Sequence, residues 1–214
     1  MTDASDFLPA RESLKALREA AAGCRGCDLY EDAIQTVFGE GRKAARVMLV
    51  GETPGDQEDR QGKPFVGPAG RELDKALARA GIDRADAYVT NAVKHFRFEE
   101  RGKRRIHQKP EGRHIKACRP WLEAELRQIR PEAVIVMGAT AARSLLGPAF
   151  RVTRSRGQLM PWPASAQHPE DFPVADIQAL ATIHPSAVLR ADDRDAAYQG
   201  LVDDLKVAAS AVSR

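Results

Sequence analysis

The sequence predicts an α/β fold: a three-layer α/β/α sandwich whose central, mainly parallel sheet has four strands. Two observations support this prediction. Short segments of continuous apolar residues recur along the chain, and segments with helical periodicity separate them. Strands buried on both faces of a parallel sheet have this uninterrupted apolar composition, and parallel neighbours need a crossover helix between them.

The elements follow in chain order from hydrophobic periodicity and from residues that stop helices. Apolar residues at helical spacing predict an amphipathic first helix over residues 9–22, which Gly23 ends. The sheet strands are predicted at 46–50, 87–91, 133–137 and 179–183. Gly81 ends the second helix and Pro131 follows the third, and the predicted helices after the first are 70–80, 118–130, 139–146 and 196–211.

Length and composition indicate one soluble globular domain covering residues 1–214. Of the 214 residues, 43% are hydrophobic and 29% are charged, which is enough to bury a substantial core. The chain has no apolar run of transmembrane length and no signal peptide, so we expect a cytoplasmic protein, and we expect a monomer. Three cysteines in a reducing compartment favour metal ligation or free thiols over a disulfide framework.

Positive charge is concentrated in one segment, residues 94–119. It contains ten Lys or Arg and three Asp or Glu, a net charge of +7, whereas the whole chain carries +3 and the remainder therefore −4. A concentrated basic segment on a neutral or slightly acidic body is typical of a protein that binds a polyanion. A solvated charged loop is the alternative. One imidazole, His107, lies in the densest part of the segment, residues 103–110.

Polar residues follow three of the predicted strands, at the edge where ligands bind in parallel sheets. Glu52, Asn91 and His184 take these positions, so we place the candidate site there. Residues 51–56 form a turn with two glycines whose backbone amides could face an anion. An ordinary βα loop is the alternative, since the Gly-Lys-[Ser/Thr] ending of a phosphate-binding loop is absent. Phe65, in a glycine-rich loop, is either a core side chain or a stacking platform for a base.

A Cys-x-x-Cys pair, Cys24 and Cys27, is a metal or redox signature. It follows a predicted helix, whereas a thioredoxin-like pair follows a strand and opens a helix. Two ligands need partners, and the soft candidates are Cys118 and one of His95 or His114. The spacing therefore predicts either a metal site or free thiols.

Four motifs stand in order along the chain. They are Gly-Glu-x-Pro-Gly-Asp from Gly51, Gly-x-Pro-Phe-Val-Gly-Pro-Ala-Gly around Phe65, Thr-Asn-Ala-Val-Lys around Asn91, and His-Pro-Ser-x-x-Leu-Arg from His184. Together they resemble the family 4 uracil-DNA glycosylases, and the resemblance covers most of the chain, about residues 20–208. It implies the fold of that family and excision of uracil from DNA.

The run Lys-Arg-Arg-Ile-His-Gln-Lys-Pro, which contains His107, further resembles the UdgX subgroup. Members of that subgroup excise uracil and then remain covalently joined to the abasic sugar through a loop histidine. The resemblance therefore implies that His107 attacks the anomeric carbon in place of water. Glu52 would orient His107 and take its proton.

The resemblance also implies a [4Fe–4S] cluster that involves the N-terminal segment, residues 1–45. Cys24, Cys27 and Cys118 match three of the four cysteine positions of the family, and His95 occupies the fourth. Imidazole can ligate iron, so the implied set is three cysteines and one histidine, with a degraded site as the alternative.

Further roles are implied at the sheet edge. Phe65 would stack on a flipped uracil, Asn91 would hydrogen-bond its Watson–Crick edge, and His184 would donate to its O2. Thr53 departs from the glutamine expected in the UdgX subgroup. The implied uracil-binding set is Gly51, Thr53, Asp56, Phe65, Asn91 and His184.

The implied partner is uracil-containing DNA, single-stranded or double-stranded, and the implied product is free uracil. The basic loop, residues 95–117, would meet the DNA, and the implied DNA contacts are Lys94, Lys103, Arg104, Arg105, Lys109, Ser186 and Arg190. Two alternatives stay open. One is a conventional family 4 glycosylase that turns over repeatedly, and the other is an iron–sulfur protein that binds uracil or abasic sites without chemistry.

Overall fold

The computed structural model of the protein describes residues 2–162 and 177–212. In this part of the chain the strands are β1 (Val47–Gly51), β2 (Ala87–Asn91), β3 (Phe98–Arg101), β4 (Arg104–His107), β5 (Ala133–Met137), β6 (Leu159–Pro161) and β7 (Gln178–Thr182). Five of them form one sheet in the order β2–β1–β5–β7–β6. The other two, β3 and β4, form a separate hairpin.

The central sheet confirms the predicted α/β class. β1 pairs in parallel with β2 and β5, and β5 pairs in parallel with β7. These four strands lie within one residue of their predicted positions. The prediction of four strands is one short, because β6 adds an antiparallel edge beside β7. β6 is only three residues long, so its sequence shows no strand pattern. It ends in a proline, which an edge strand tolerates.

Helices cover both faces of the sheet. In the described residues they are α1 (Leu14–Ala21), α2 (Asp56–Gln61), α3 (Pro68–Ala80), α4 (Gly112–Ile129), α5 (Ala139–Leu146), α6 (Val152–Ser155), α7 (Pro185–Arg190) and α8 (Arg194–Val212). Successive residues of β1 face opposite layers: Leu49 packs with α3 and α8, whereas Met48 and Val50 pack with α4 and α5. No helix in this part of the chain is both long and apolar enough to cross a membrane.

The first helix is shorter than predicted. α1 begins at Leu14 rather than at residue 9, because the Ser13 hydroxyl caps it and accepts a hydrogen bond from the Ala16 amide at 3.1 Å. The boundary therefore depends on a local side-chain contact.

The predicted basic loop, residues 95–117, is an ordered hairpin followed by the start of a helix. β3 and β4 pair antiparallel with Phe98 opposite His107, and Gly102 makes the turn with a φ of +61°. α4 begins at Gly112, well before its predicted start at residue 118. Most side chains of the hairpin are charged, so the alternation that predicts strands is hidden.

A fully buried ion pair lies between the end of β2 and α4. The Lys94 ammonium is 2.5 Å from Glu125 Oε2, and neither side chain is exposed. Lys94 also donates to Thr90 Oγ1 at 2.6 Å and to the Asn91 carbonyl at 2.8 Å. Glu125 accepts from the Tyr88 hydroxyl at 2.9 Å. Because each buried charge is neutralised by the other and hydrogen-bonded, the pair fixes the segment after β2 to α4.

We expect Glu125→Gln to destabilise the fold by about 3 to 5 kcal/mol, because it leaves the Lys94 ammonium buried without its counter-charge. Urea unfolding followed by circular dichroism measures the effect. The matched control is Glu132→Gln, which removes a carboxylate from a half-exposed pair with Arg46 and should cost less than about 1 kcal/mol. Equal losses in the two variants would contradict the role of the buried pair.

Candidate active site

A cleft opens at the carboxyl ends of β1, β2 and β7, next to the open end of the β3–β4 hairpin. Parallel sheets place ligand sites at this edge, as predicted from the sequence. The cleft brings together most of the predicted site residues: Glu52, Thr53, Asp56, Phe65, Asn91, His107, Lys109, His184, Ser186 and Arg190. Gly51 lies directly beneath it at the end of β1, and Arg97, Gln108 and Thr140 line it without having been predicted.

Gly51 allows Asn91 and Phe65 to approach each other closely. A Cβ at position 51 would lie 2.4 Å from Asn91 Oδ1 and 2.6 Å from a ring carbon of Phe65, closer than real contacts allow. Phe65 itself has a φ of 57°, in the left-handed region that is strained for a residue with a side chain. Gly70 permits this conformation, because a Cβ there would lie 1.7 Å from the Phe65 carbonyl oxygen. The backbone therefore fixes the position of the aromatic ring beside the amide.

His184 is a neutral imidazole with a defined tautomer. Its Nδ1 accepts a hydrogen bond from the Ser186 amide at 3.2 Å, so the proton is on Nε2. Burial lowers the pKa of His184 to about 4, with smaller contributions from His107 and Arg190. The ring stacks on Phe65, with 5.9 Å between the two centroids. This tautomer leaves Nε2–H as the donor for a ligand.

His107 ends β4 at the mouth of the cleft, close to Glu52. The residue is exposed, and the partial burial of its imidazole lowers the pKa of His107 below the ordinary 6.5; the opposing effect of the Glu52 charge is smaller. His107 is therefore neutral at pH 7 and has one nitrogen with a free lone pair. Glu52 Oε1 is buried and has no hydrogen-bond partner among the described residues. A buried carboxylate oxygen without a partner is costly, and it is well suited to accept an N–H.

Two predicted uracil-binding side chains are engaged by protein groups. The Thr53 hydroxyl donates to the His95 carbonyl at 2.8 Å. The Asp56 carboxylate accepts from Arg60 at 2.9 Å and from Arg105 at 2.6 Å, and these guanidiniums lower the pKa of Asp56. Both residues line the cleft, but their side chains serve to hold the loop that follows β1.

The predicted DNA contacts divide into exposed and buried cations. Lys94 is fully buried against Glu125, so its assignment as a DNA contact is wrong. Arg105 is 11% exposed and paired with two aspartates. Ser186 lies at the cleft, with its hydroxyl 2.8 Å from His184 Nδ1. The cations that remain exposed are Lys103, Arg104, Lys109 and Arg190.

The three cysteines share an apolar cluster between α1 and α4, next to Trp121. Trp121 Nε1 donates to Cys24 Sγ and the Lys94 amide donates to Cys118 Sγ, both at 3.2 Å. Burial raises the pKa of Cys118 to about 12 and also raises that of Cys27. Thiolates there need a positive centre to stabilise them. Apolar burial with N–H···S hydrogen bonds fits the surroundings of an iron–sulfur cluster.

The histidine candidates differ in their surroundings. Burial lowers the pKa of His95 to about 4, so its imidazole is neutral, and its Nε2 is 3.0 Å from Thr36 Oγ1. His114 Nε2 is 2.9 Å from Asp28 Oδ1 without hydrogen-bond geometry. Within residues 2–162 and 177–212, no three His, Cys, Asp or Glu side chains are close enough to hold a metal ion. The apolar surroundings of the cysteines suit a cluster although the side chains are not gathered around a metal site, and His95 would have to exchange Thr36 for iron.

Sequence reasoning missed Gly138 and Asp59. Gly138 follows β5 with a φ of +93°, and a Cβ there would lie 3.0 Å from His184 Cβ. A glycine directly after a strand, at the same edge as Glu52 and Asn91, was the available signal. Asp59 is fully buried next to Arg105, and its sequence neighbourhood shows only an acidic, exposed-looking helix.

Comparison with known proteins agrees with this geometry. A family profile described as the uracil DNA glycosylase superfamily matches residues 38–206. The chain belongs to the uracil-DNA glycosylase superfamily. Several relatives are named type-4 uracil-DNA glycosylases. The protein from Pyrobaculum aerophilum is 32% identical over 177 residues, covering 83% of this chain and 85% of the relative.

Two further type-4 uracil-DNA glycosylases are similar over most of their length. The protein from Thermotoga maritima is 32% identical over 180 residues, covering 84% of each chain. The protein from Sulfurisphaera tokodaii is 31% identical over 183 residues, covering 83% of this chain and 76% of the relative. The superfamily match spans the cleft and the hairpin and begins after Cys27.

We expect His184 to stay neutral, with its proton on Nε2, from neutral pH down to about pH 5, because its pKa lies near 4. Two-dimensional ¹H–¹⁵N spectra of the imidazole side chains, recorded across a pH titration, measure the tautomer and the pKa. Ser186→Ala keeps the backbone amide that donates to Nδ1 and serves as the control, with the tautomer unchanged. A midpoint near 6.5 would contradict the burial of the ring.

Proposed function

We propose that the protein is a uracil-DNA glycosylase that excises uracil and then binds the abasic sugar covalently through His107. Superfamily membership and the type-4 relatives support the excision step. One observation carries the covalent step: a neutral imidazole at the cleft mouth lies close to Glu52, whose buried carboxylate oxygen has no partner among the described residues. Covalent catalysis requires such a combination of nucleophile and base. The substrate would be uracil-containing DNA and the released product free uracil.

The uracil would be recognised between Phe65 and Asn91. Stacking of a base on an aromatic ring is worth roughly 1 to 3 kcal/mol. The Asn91 amide can donate and accept at once, so it matches O4 and N3–H of uracil and opposes the reversed pattern of cytosine. The His184 Nε2–H would donate to O2, where negative charge grows as the glycosidic bond breaks. The base must leave its stack to reach this cleft, or come from single-stranded DNA.

Bond cleavage would pass the electron pair of the C1′–N1 bond to uracil, which leaves as an anion and takes a proton from solvent. The sugar becomes an oxocarbenium ion, which the Glu52 carboxylate stabilises. The unprotonated nitrogen of His107 then gives its lone pair to C1′ and forms a C–N bond. The proton on the other imidazole nitrogen passes to Glu52 and on to solvent. Imidazole is a poor leaving group here, so the adduct should persist and turnover should approach one.

We also propose a [4Fe–4S] cluster with Cys24, Cys27, Cys118 and His95 as ligands. The shared apolar surroundings of the thiols, the N–H donors at two sulfurs and the neutral His95 support it. When bound, the cluster would cross-link the N-terminal segment to α4 and so stabilise the fold. The proposed steps at C1′ use the residues of the cleft alone.

Incubation with a uracil-containing oligonucleotide should yield a protein–DNA species that survives heating in SDS and whose linkage maps to His107 by peptide mass. His107→Ser should lose this species but still release uracil, because water can then capture the sugar. The adduct rate should be constant above about pH 7 and fall on acidification, since the protonated imidazole has no lone pair to give. Clean release of DNA by the unaltered protein, or a linkage at another residue, would contradict the covalent step.

Asn91→Ala separates base recognition from DNA binding in the same assay. It should slow uracil release by roughly 10²-fold or more, as loss of one aligned hydrogen-bonding group does. Binding to the oligonucleotide, measured by fluorescence anisotropy, should change little, because the exposed cations are untouched. Normal excision by this variant would show that the base pocket is assigned wrongly.

Protein purified without oxygen should be brown and contain roughly four iron atoms per chain, as a [4Fe–4S] cluster requires. Cys118→Ala should lose the iron and unfold at a lower temperature. His114→Ala is the control, because His114 lies beside Asp28 and is not one of the proposed ligands, so the variant should leave the iron content unchanged. A folded, iron-free protein with unaltered stability would exclude the cluster.

A further inference from the structure

Within residues 2–162 and 177–212 the β3–β4 hairpin pairs with no strand of the central sheet, so its position depends on side-chain contacts. Arg105, two residues before His107, makes the strongest of them. Its Nε donates to Asp56 Oδ1 and its Nη1 to Asp59 Oδ2, both at 2.6 Å. Residues two apart on a strand face the same side, so the contact that holds Arg105 also directs His107 toward the cleft.

Aromatic rings complete the site that holds Arg105. The guanidinium carbon lies 4.9 Å from the Phe98 ring centroid and 5.3 Å from that of Phe96. The His107 ring is 6.0 Å from the same Phe96 ring. Two carboxylates and two rings therefore fix one guanidinium. Such a site suits arginine, whose planar side chain has several donors, better than lysine.

The two aspartates connect the hairpin to α2, which follows the loop that carries Glu52, and to the N-terminal segment. Asp56 opens α2, four positions after Glu52, so the element that receives Arg105 also carries the loop with the proposed base. Asp59 is fully buried and also accepts from the Ile34 amide at 3.0 Å. The N-terminal segment therefore also holds the Asp59 carboxylate in place, so this carboxylate is a fixed anchor for Arg105.

We propose that Arg105 is a positioning residue that holds His107 over the reacting carbon and thereby decides whether histidine or water captures the sugar. The inference rests on the proposed function. It adds the residue that determines, after uracil has left, whether the sugar is captured by His107 or by water. Without Arg105 the base pocket should stay intact, since the contacts of Arg105 in the described part of the chain go to Asp56, Asp59, Phe96 and Phe98. The hairpin then leaves the cleft mouth, and released abasic DNA replaces the adduct.

The experiment compares Arg105→Gln with Arg101→Gln in single-turnover reactions on a uracil-containing oligonucleotide. Both variants remove one positive charge from the same hairpin, but the Arg101 side chain is 66% exposed and Arg105 is held by the aspartates. The ratio of covalent adduct to released abasic DNA is measured. It should fall by about 10²-fold in Arg105→Gln, since small misplacements of a reacting group have effects of this size. It should be unchanged in Arg101→Gln, and Arg105→Lys should recover only part of it.

Amide hydrogen exchange provides a readout that needs no chemistry. In Arg105→Gln the amides of β3 and β4 should exchange at least about tenfold faster, while those of β1 and β5 keep their protection. An unaltered adduct ratio would overturn the proposal, and so would unaltered hairpin exchange. A parallel loss of excision and adduct with faster exchange throughout the sheet would also overturn it, because Arg105 would then be only structural. If the unaltered protein forms no adduct at all, the proposed function fails. The exchange result then still tests whether Arg105 holds the hairpin in place.

Discussion

The buried contact between Lys94 and Glu125 is the constraint on which the rest of the site depends. Glu125 comes from the long helix α4, and Lys94 follows the strand that ends in Asn91. The same ammonium holds the Asn91 carbonyl, and the Lys94 amide donates to Cys118 Sγ. One short segment therefore positions Asn91 of the proposed base pocket, meets a proposed cluster ligand and leads into the hairpin. A lysine in this position couples these three regions.

The sequence predicts the sheet well because burial on both faces leaves a direct trace in composition. The sequence places Glu52, Asn91 and His184 at one edge of the sheet for the same reason, since each lies at the end of an apolar strand, and in the structure all three line one cleft. Pairing between side chains leaves no such trace. The sequence shows Lys94 as one cation among ten in its segment, and only the structure shows that it lies inside the protein. The hairpin was missed because its strands are short and charged, so neither alternation nor an apolar run marks them.

The charge of the basic segment is largely neutralised within the protein. Carboxylates from outside the segment pair with four of its cations: Lys94, Arg105, Arg113 and Arg119. A net charge counted along the sequence therefore overstates the field that a polyanion would meet. The cations that remain exposed on the hairpin lie near its tip and just after β4, on either side of His107. The local pattern of free charge, more than the total, would guide a DNA backbone past the imidazole.

In the part of the chain that the structure describes, the backbone hydrogen bonds of β3 and β4 join these two strands only to each other. Because the hairpin satisfies its own backbone hydrogen bonds, its presence does not disturb the pairing of the central sheet. Inserting it lengthens the connection between β2 and α4, and closing a longer loop costs little additional entropy. The proposed nucleophile, His107, is thus carried on a module that can be exchanged as a unit. A protein with the same sheet and a matching pair of aspartates on its second helix could accept this hairpin by grafting, which would turn a hydrolytic scaffold into a covalent label for uracil sites.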